Sequence, residues 1–302
     1  MHLIQRWLSE NIVALGRDMR WSYLPPLMVY VAAGIQGLTG IVGTFFVKDY
    51  LGLSAEFLAA LGFWAFVPWS LKMPLGHLVD LIWRFKAWLV VLGAVLIACS
   101  LVIMAALIGH REAMAALWSV NAWFVLATLL SPIGYVLQDV VADAMTVEAV
   151  PMVNAQGNAT PPDQLKRMHI TMQTLGRVAI IGGTVLVALI NLWVFKGSDA
   201  LPAAQKLALY QDVYLMALCI PVISMLGLLS AYWLHRRAVR QLTAQGMTPT
   251  QAEETLRPPL EPTQPNVWIL GGSLVFVALT LSLGLSDWAY SQEAIFLGST
   301  AI

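Results

Sequence analysis

Apolar residues in this chain gather into long runs that short polar segments interrupt. A helix needs about 20 mostly apolar residues to cross the hydrocarbon core of a bilayer, because each residue adds only about 1.5 Å. Seven runs are long enough for this, and an eighth begins at 291–302. The pattern predicts membrane spans over residues 24–47, 57–82, 87–108, 117 to about 142, 170–194, 210–234 and 267–285.

The fourth run carries acidic residues where a bilayer tolerates few. Its apolar stretch covers residues 114–150, so we expect the helix to continue past the membrane and Glu148 to lie outside it. Asp139 and Asp143 remain inside, four residues apart and therefore on one face of a helix. A carboxylate at membrane depth costs about 2.5–3.5 kcal/mol on insertion scales, and such residues usually face a protein interior or a water-filled cavity. We therefore predict a functional role for this pair.

The spacing of the runs predicts four regions. Residues 1–21 form an amphipathic N-terminal segment, 22–235 a bundle of six spans, 236–266 a polar central loop and 267–302 the start of a second bundle. Six spans, a long charged loop and further spans are the layout of the major facilitator architecture, in which two six-helix halves enclose the transport path. The predicted fold is thus an all-α membrane protein with a major facilitator-type N-terminal half. We expect the chain to be truncated. The full-length protein would then be a monomer, and without such a continuation this chain needs a second half.

Composition agrees with membrane insertion, and charge predicts the orientation. Hydrophobic residues make up 59% of the chain and charged residues 11%, well below the roughly 25% of soluble domains. The net charge is zero, which gives no reason to expect nucleic acid as a partner. With the N-terminus in the cytoplasm, eleven of the 17 lysines and arginines fall on the cytoplasmic side and four on the other. The positive-inside rule therefore predicts a cytoplasmic N-terminus, in a multi-pass protein of a bacterial inner membrane or an organelle membrane.

A charged motif lies between the second and third predicted spans. Gly76 is followed by Asp80 and then by Arg84, each four residues on, and Lys86 comes close behind. This spacing is similar to the cytoplasmic loop signature of the major facilitator superfamily. The resemblance implies that Asp80 pairs with Arg84, or with a base on a neighbouring helix, and closes the cytoplasmic side in one state. The alternative is that the two charges only anchor a loop at the membrane surface.

A wider resemblance covers residues 30–150. Its blocks, in order, are GIQG at 34–37, FFVKDYLGLS at 45–54, PWSLKMPLG at 68–76 and QDVVADAMTVE at 138–148. Together they resemble the folate–biopterin transporter family, a branch of the major facilitator superfamily. One departure is Met73, which separates Lys72 from Pro74. The resemblance implies a secondary active transporter that moves a folate- or pteridine-like or other small organic solute by alternating access.

Three further polar side chains within the runs are candidates for substrate binding or coupling. Lys72 could reach the membrane surface with its ammonium group, meet an anionic substrate in a cavity, or pair with an acid of the fourth span. Arg177 lies about ten residues into its apolar run and needs a partner. Asp139 or Asp143 is the natural one, because consecutive spans are often neighbours. Gln173 lies four residues before Arg177 and shares its helix face.

Two further residue types complete the predicted site. Gln36 lies in the glycine-rich first span and could form hydrogen bonds in a cavity, and Trp64 and Trp69 could stack on a flat ring. Helix packing is the alternative role of the glycines around Gln36, and a lipid-facing position or core packing is the alternative for the two tryptophans. We see no catalytic, metal-binding or cofactor-binding motif and predict neither an enzyme nor a cofactor. The expected partners are the bilayer, a small solute and protons, since the acids of the fourth span could couple transport to a proton. The alternative function is a non-transporting assembly factor, such as the pigment-assembly branch of the same superfamily.

Overall fold

The computed structural model describes residues 14–153, 159–256 and 264–284. Within these ranges every regular element is a helix, and the only strand-like pairing is a single bridge between Val153 and Ala159. Most of the predicted amphipathic segment over 1–21, and the eighth span predicted over 291–302, lie outside the described residues. The chain is an all-α membrane protein.

Seven helices in the described part are long and apolar enough to cross a membrane, and each coincides with a predicted span. In chain order, spans 1 to 7 are Trp21–Phe46, Ala55–Leu81, Trp83–Gly109, Val120–Ala149, Pro162–Val194, Ala203–Ala244 and Val267–Gly284. Shorter helices between or before them are Ala14–Arg17, Arg111–Leu117, Ser198–Ala200 and Pro249–Leu256.

The helices of spans 4 and 6 extend beyond their apolar residues. Span 4 is one helix of 30 residues that ends at Ala149, which makes it about 45 Å long against about 30 Å of hydrocarbon. This length leaves room for the predicted continuation of the helix past the bilayer. Span 6 continues to Ala244, so residues 236–244 of the predicted central loop are helical. The helix Pro249–Leu256 follows in the same segment, and side-chain to backbone hydrogen bonds between Thr248 and Gln251 cap its N-terminus.

Prolines account for the breaks in spans 2 and 6. Pro74 and Pro221 each lie four residues after the point where a helix stops, at Ser70 and Ala217 respectively. A proline removes the backbone hydrogen bond to the residue four positions earlier, and its ring clashes with that carbonyl group. The helical segments are Ala55–Ser70 and Lys72–Leu81 in span 2, and Ala203–Ala217 and Cys219–Ala244 in span 6.

Span 1 changes its helical winding without a proline at the change. A 3-10 segment, Ile35–Thr39, separates the α-helices Leu24–Gly34 and Gly40–Phe46. Glycine at both flanking positions weakens the helix there, because glycine loses more backbone freedom than other residues when it is held helical. Gln36 lies within this irregular segment.

Glycines bring two pairs of spans into backbone contact. A Cβ atom on Gly93 of span 3 would lie 2.6 Å from the carbonyl oxygen of Gly134 on span 4, and one on Gly183 of span 5 would lie 2.8 Å from the backbone of Gly34 on span 1. Small residues permit such close approach between membrane helices. Span 1 packs against spans 4, 5 and 6, and span 4 packs against spans 1, 2 and 3. Spans 2 and 7 are the least buried, followed by span 5.

Candidate functional site

An ionic cluster joins spans 1, 2 and 4 within the membrane-spanning part of the bundle. The Lys72 Nζ atom lies 2.6 Å from Asp139 Oδ2 and 3.0 Å from Asp143 Oδ2. The Tyr30 hydroxyl donates a hydrogen bond of 2.6 Å to Asp143 Oδ1. We call these four residues the acid cluster. One cation therefore serves two carboxylates, and a phenol hydroxyl supplies a further donor.

Local structure determines the positions of the three charged members of the acid cluster. Asp139 and Asp143 lie one turn apart on the continuous helix of span 4, so both carboxylates emerge on one face. Lys72 is the first residue of the helical segment after the break at Leu71. The break, which Pro74 explains, therefore sets the backbone position from which the Lys72 side chain reaches span 4.

Burial differs among the three charged side chains. The Asp139 side chain is 10% exposed, whereas Asp143 is 51% and Lys72 is 42% exposed. Asp139 is thus held inside the bundle, while Asp143 and Lys72 form the open edge of the cluster. With two acids and one lysine in contact, the cluster has a net negative charge, so a proton or a second cation can alter its balance.

The structure brings some of the predicted site residues together and leaves others apart. Lys72, rather than Arg177, contacts the two acids of span 4. Arg177 and Gln173 lie exposed on span 5, which packs mainly against span 1 and only slightly against span 4. Arg177 was expected to pair with an acid of span 4, and it does not. Spans 4 and 5 follow each other in the sequence, but they make few contacts in the structure.

A cavity of about 930 Å³ lies between spans 1, 2, 3, 4 and 6. Gln36 and Trp69, two residues predicted to face a cavity, line it together with Tyr135 and Tyr214. Trp64 is not among its lining residues and packs against Gly284 of span 7 instead. The walls are mostly apolar, with hydroxyl and amide groups at intervals, which is the usual character of a small-molecule site.

The cavity and the acid cluster adjoin each other along two helices. Trp69 lines the cavity and lies three residues before Lys72 on span 2, while Tyr135 lines it and lies four residues before Asp139 on span 4. These separations are about one helical turn, or roughly 5 Å along each axis. Trp69 and Tyr135 thus line the cavity within about one helical turn of Lys72 and Asp139.

Two residues of this region were not singled out from the sequence. Tyr30 is a membrane-span tyrosine whose hydroxyl needs a partner when buried, and that rule is the signal that could have found it. Gln138, next to Asp139, lies on the side of span 4 away from the cluster. Its amide donates to the Val90 carbonyl at 3.3 Å and its oxygen accepts from Ser224 at 2.9 Å. Adjacent polar residues on span 4 thus serve different neighbours.

The predicted cytoplasmic gate residues lie at the connection between spans 2 and 3. Asp80 and Arg84 are both exposed, and they form no ion pair with each other. Lys86 instead pairs with Glu148 of span 4 at 2.6 Å. Gly76 lies against span 4, where a Cβ atom would be 4.0 Å from the Val140 side chain. The structure therefore links this connection to span 4 through Lys86.

Comparison with known proteins gives one similarity of limited extent. A stretch of 77 residues is 38% identical to a folate-biopterin transporter of Synechocystis sp.. The stretch covers 26% of this chain and 15% of that transporter, so the chain matches only a small part of its length. No model of a protein family matches the chain, and no solved structure matches it.

Proposed function

We propose that the chain is part of a secondary active transporter that moves a folate- or pteridine-like or other small organic solute by alternating access. The seven spans and the similarity of one segment to a folate-biopterin transporter support transport in general. The observation that carries the proposal is the acid cluster, in which Lys72 holds Asp139 and Asp143 beside an aromatic-lined cavity.

The placement of the acid cluster favours function over simple bracing. A structural ion pair at membrane depth is best balanced and enclosed, because each uncompensated charge is costly there. Here two acids share one lysine, and Asp143 is half exposed. A cluster of this kind is suited to a changing occupant, whether a proton or a charged solute.

Proton coupling is part of the proposal. Two carboxylates that compete for one ammonium group repel each other, and a proton on either of them relieves that repulsion. Tyr30 fixes Asp143 from span 1 while Lys72 approaches from span 2. Protonation would therefore loosen contacts between three spans, which is how a bound proton can favour one conformation over another.

The remaining predicted residues have places in the same scheme. Gln36 and Trp69 would contact the solute in the cavity. Gly76, Asp80, Arg84 and Lys86 would form a gate on the cytoplasmic side, with the N-terminus also in the cytoplasm. A second six-helix half, from a longer chain or from a second copy, would complete the path, as in other carriers built from two repeats.

Solute uptake into vesicles that contain the purified protein tests this function. We expect wild-type protein to accumulate radiolabelled folate or pterin, and Asp139→Asn and Asp143→Asn to lower the initial rate at least tenfold. Glu148→Gln is the matched control, since it also removes a span 4 carboxylate that lies 2.6 Å from a lysine. An imposed proton gradient should raise the wild-type rate.

The outcomes separate the proposal from its alternative. If uptake is absent but the two aspartate variants disrupt assembly of a membrane complex, the protein is an assembly factor. If uptake proceeds and an imposed proton gradient leaves its rate unchanged, the carrier function stands and proton coupling is wrong.

A further inference from the structure

Arg177 occupies an unusual position for an arginine. It lies near the middle of the 33-residue helix of span 5 and is exposed on the surface of the described bundle. Its guanidinium group forms no hydrogen bond or ion pair with any residue in the described part of the chain. An arginine that faced hydrocarbon at this depth would cost about 2.5–3.5 kcal/mol on insertion scales. This position therefore calls for a polar occupant.

The two acids of the cluster are already paired with residues other than Arg177. Lys72 takes one oxygen of each aspartate, and Tyr30 donates to the other oxygen of Asp143. Arg177 follows Gly176, which packs directly against the ring of Tyr30, although the guanidinium group itself contacts neither Tyr30 nor the aspartates. Arg177 is thus close to the acid cluster, while all five of its N–H donors remain open to another acceptor.

Span 5 is held tightly against the acid cluster at this level. A Cβ atom on Gly176 would lie 2.8 Å from the Tyr30 ring, so the absence of a side chain lets the ring pack directly on the helix. Arg177 is the next residue, and Gln173 lies one turn before it on the same exposed face. The guanidinium and the amide therefore present donors on the exposed face of span 5, one residue from the contact between Gly176 and Tyr30.

The charges in this region indicate which kind of acceptor the N–H donors of Arg177 and Gln173 bind. Lys72 and Arg177 together balance Asp139 and Asp143, but only Lys72 is in contact with them. The planar fork of an arginine matches a carboxylate, which it binds through two parallel hydrogen bonds. We infer, on the basis of the proposed function, that Arg177 binds a carboxylate of the transported solute with Gln173 as a neighbouring donor, and that Lys72 holds the acid pair rather than the solute.

Binding of two related ligands tests this assignment. Pterin-6-carboxylate and neutral pterin share a ring system and differ in one carboxylate. We expect wild-type protein to bind the carboxylate more tightly, and Arg177→Gln to weaken its binding about 10- to 100-fold, the range for hydrogen bonds to charged groups. Binding of neutral pterin should stay unchanged. Arg177→Lys should retain part of the preference, because it keeps the charge and loses the fork.

Two variants serve as controls in the same titration. Arg240→Gln removes an exposed arginine from the far end of span 6 and should alter neither affinity. Lys72→Gln should change the ratio of the two affinities less than Arg177→Gln does. Equal weakening of both ligands by Arg177→Gln would overturn the assignment while leaving the proposed function intact. Failure of folded wild-type protein to bind either ligand would overturn a pteridine-like solute as the substrate, and the assignment with it.

Chemical labelling checks independently that position 177 faces water. Cys99 and Cys219 are free and exposed, so both are first replaced by serine. We expect Arg177→Cys in this background to react with a membrane-impermeant thiol reagent, and pterin-6-carboxylate to slow the reaction. Leu189→Cys, an exposed apolar position on the same helix, should react much more slowly. An unreactive Arg177→Cys would mean that protein or lipid covers the position, and the assignment would fail.

Discussion

Two lysines pair with carboxylates of span 4 at the same distance, but they differ in the number of their acidic partners. Lys72 Nζ lies 2.6 Å from Asp139, and Lys86 Nζ lies 2.6 Å from Glu148. Lys86 has a single acid partner, and its ammonium group also lies 3.8 Å from the centre of the Trp83 ring. Lys72 has two acid partners, which leaves its cluster with a net negative charge. One pair is balanced and the other is not.

This difference shows that an N–O distance alone does not state what an ion pair contributes. Glu148 lies one residue before the end of its helix, where water reaches its pair with Lys86, although the Lys86 side chain itself is only 13% exposed. Ion pairs that water screens contribute only about 0–1 kcal/mol. Asp139 lies ten residues before the same helix end and its side chain is 10% exposed, so water screens its charge less. Removal of one partner from a buried pair costs about 3–5 kcal/mol, because a charge is left uncompensated. We infer that the balanced pair anchors the helices and the unbalanced cluster responds to a bound charge.

Replacement of Lys72 should have the largest effect. Lys72→Gln leaves two carboxylates without their cation, and we expect it to destabilise the protein by about 2–3 kcal/mol, less than a fully buried pair because Lys72 is 42% exposed. Thermal unfolding in detergent measures this, with Lys86→Gln as the control at below about 1 kcal/mol. Adding Asp143→Asn to Lys72→Gln should restore part of the loss. Equal effects of the two lysine variants would remove the distinction between the pairs.

Loss of the Tyr30 hydroxyl should come next. Tyr30→Phe removes the donor to Asp143 while keeping the ring, and hydrogen bonds to charged groups contribute about 1.5–3 kcal/mol. We expect a lower unfolding temperature and slower uptake. Tyr232→Phe, at an exposed position on span 6, is the matched control and should change little. An unchanged Tyr30→Phe variant would show that span 1 is not tied to the acid cluster by this bond.

A single methyl group on span 5 should have a smaller effect. Gly176→Ala places a carbon 2.8 Å from the Tyr30 ring, so the ring must shift, and such overpacking costs about 1–3 kcal/mol. Because a ring can move, we expect the lower end of that range, together with weaker binding of pterin-6-carboxylate. Gly182→Ala lies on the same helix with no atom within 4 Å and should be neutral or slightly stabilising. The same shift for both variants would contradict the tight packing at Gly176.

Removal of the carboxylate at position 148 should have the smallest effect. Glu148→Gln takes away the partner of Lys86, and we expect a loss below about 1 kcal/mol that shrinks further as salt is raised. Uptake should remain near the wild-type rate. A loss of uptake as large as that of Asp143→Asn would place Glu148 in the transport machinery and reverse the comparison between the two pairs.

Much of the architecture was predictable because it depends on local chemistry. The seven spans follow from apolar length, since a bilayer demands about 20 such residues in a row. The break of span 2 at Leu71 is also local, since Pro74 lies four residues after Ser70, where the first segment ends. The helical part of the central segment beyond residue 235 was missed, because span 6 continues as a polar helix where no apolar pattern marks it.

The membership of the site was predictable only in part. Charges at membrane depth are expensive, so Asp139, Asp143, Lys72 and Arg177 stand out in any apolar sequence. Which cation meets the acids could not be read from the chain, because Lys72 and Arg177 were both chemically suitable. Tyr30 was overlooked for a related reason, since its hydroxyl contributes only through a partner 113 positions away.

The sequence by itself determined that this is a multi-span helical membrane protein with two acids and two cations inside it, because hydrophobic length and the cost of charge are properties of each segment. Tertiary structure alone decided that Lys72 and Tyr30 hold the acids and that Arg177 pairs with no residue of the described part of the chain. Those choices follow from the packing of span 2 against span 4 and of span 5 against span 1, and packing depends on surfaces far apart in the chain.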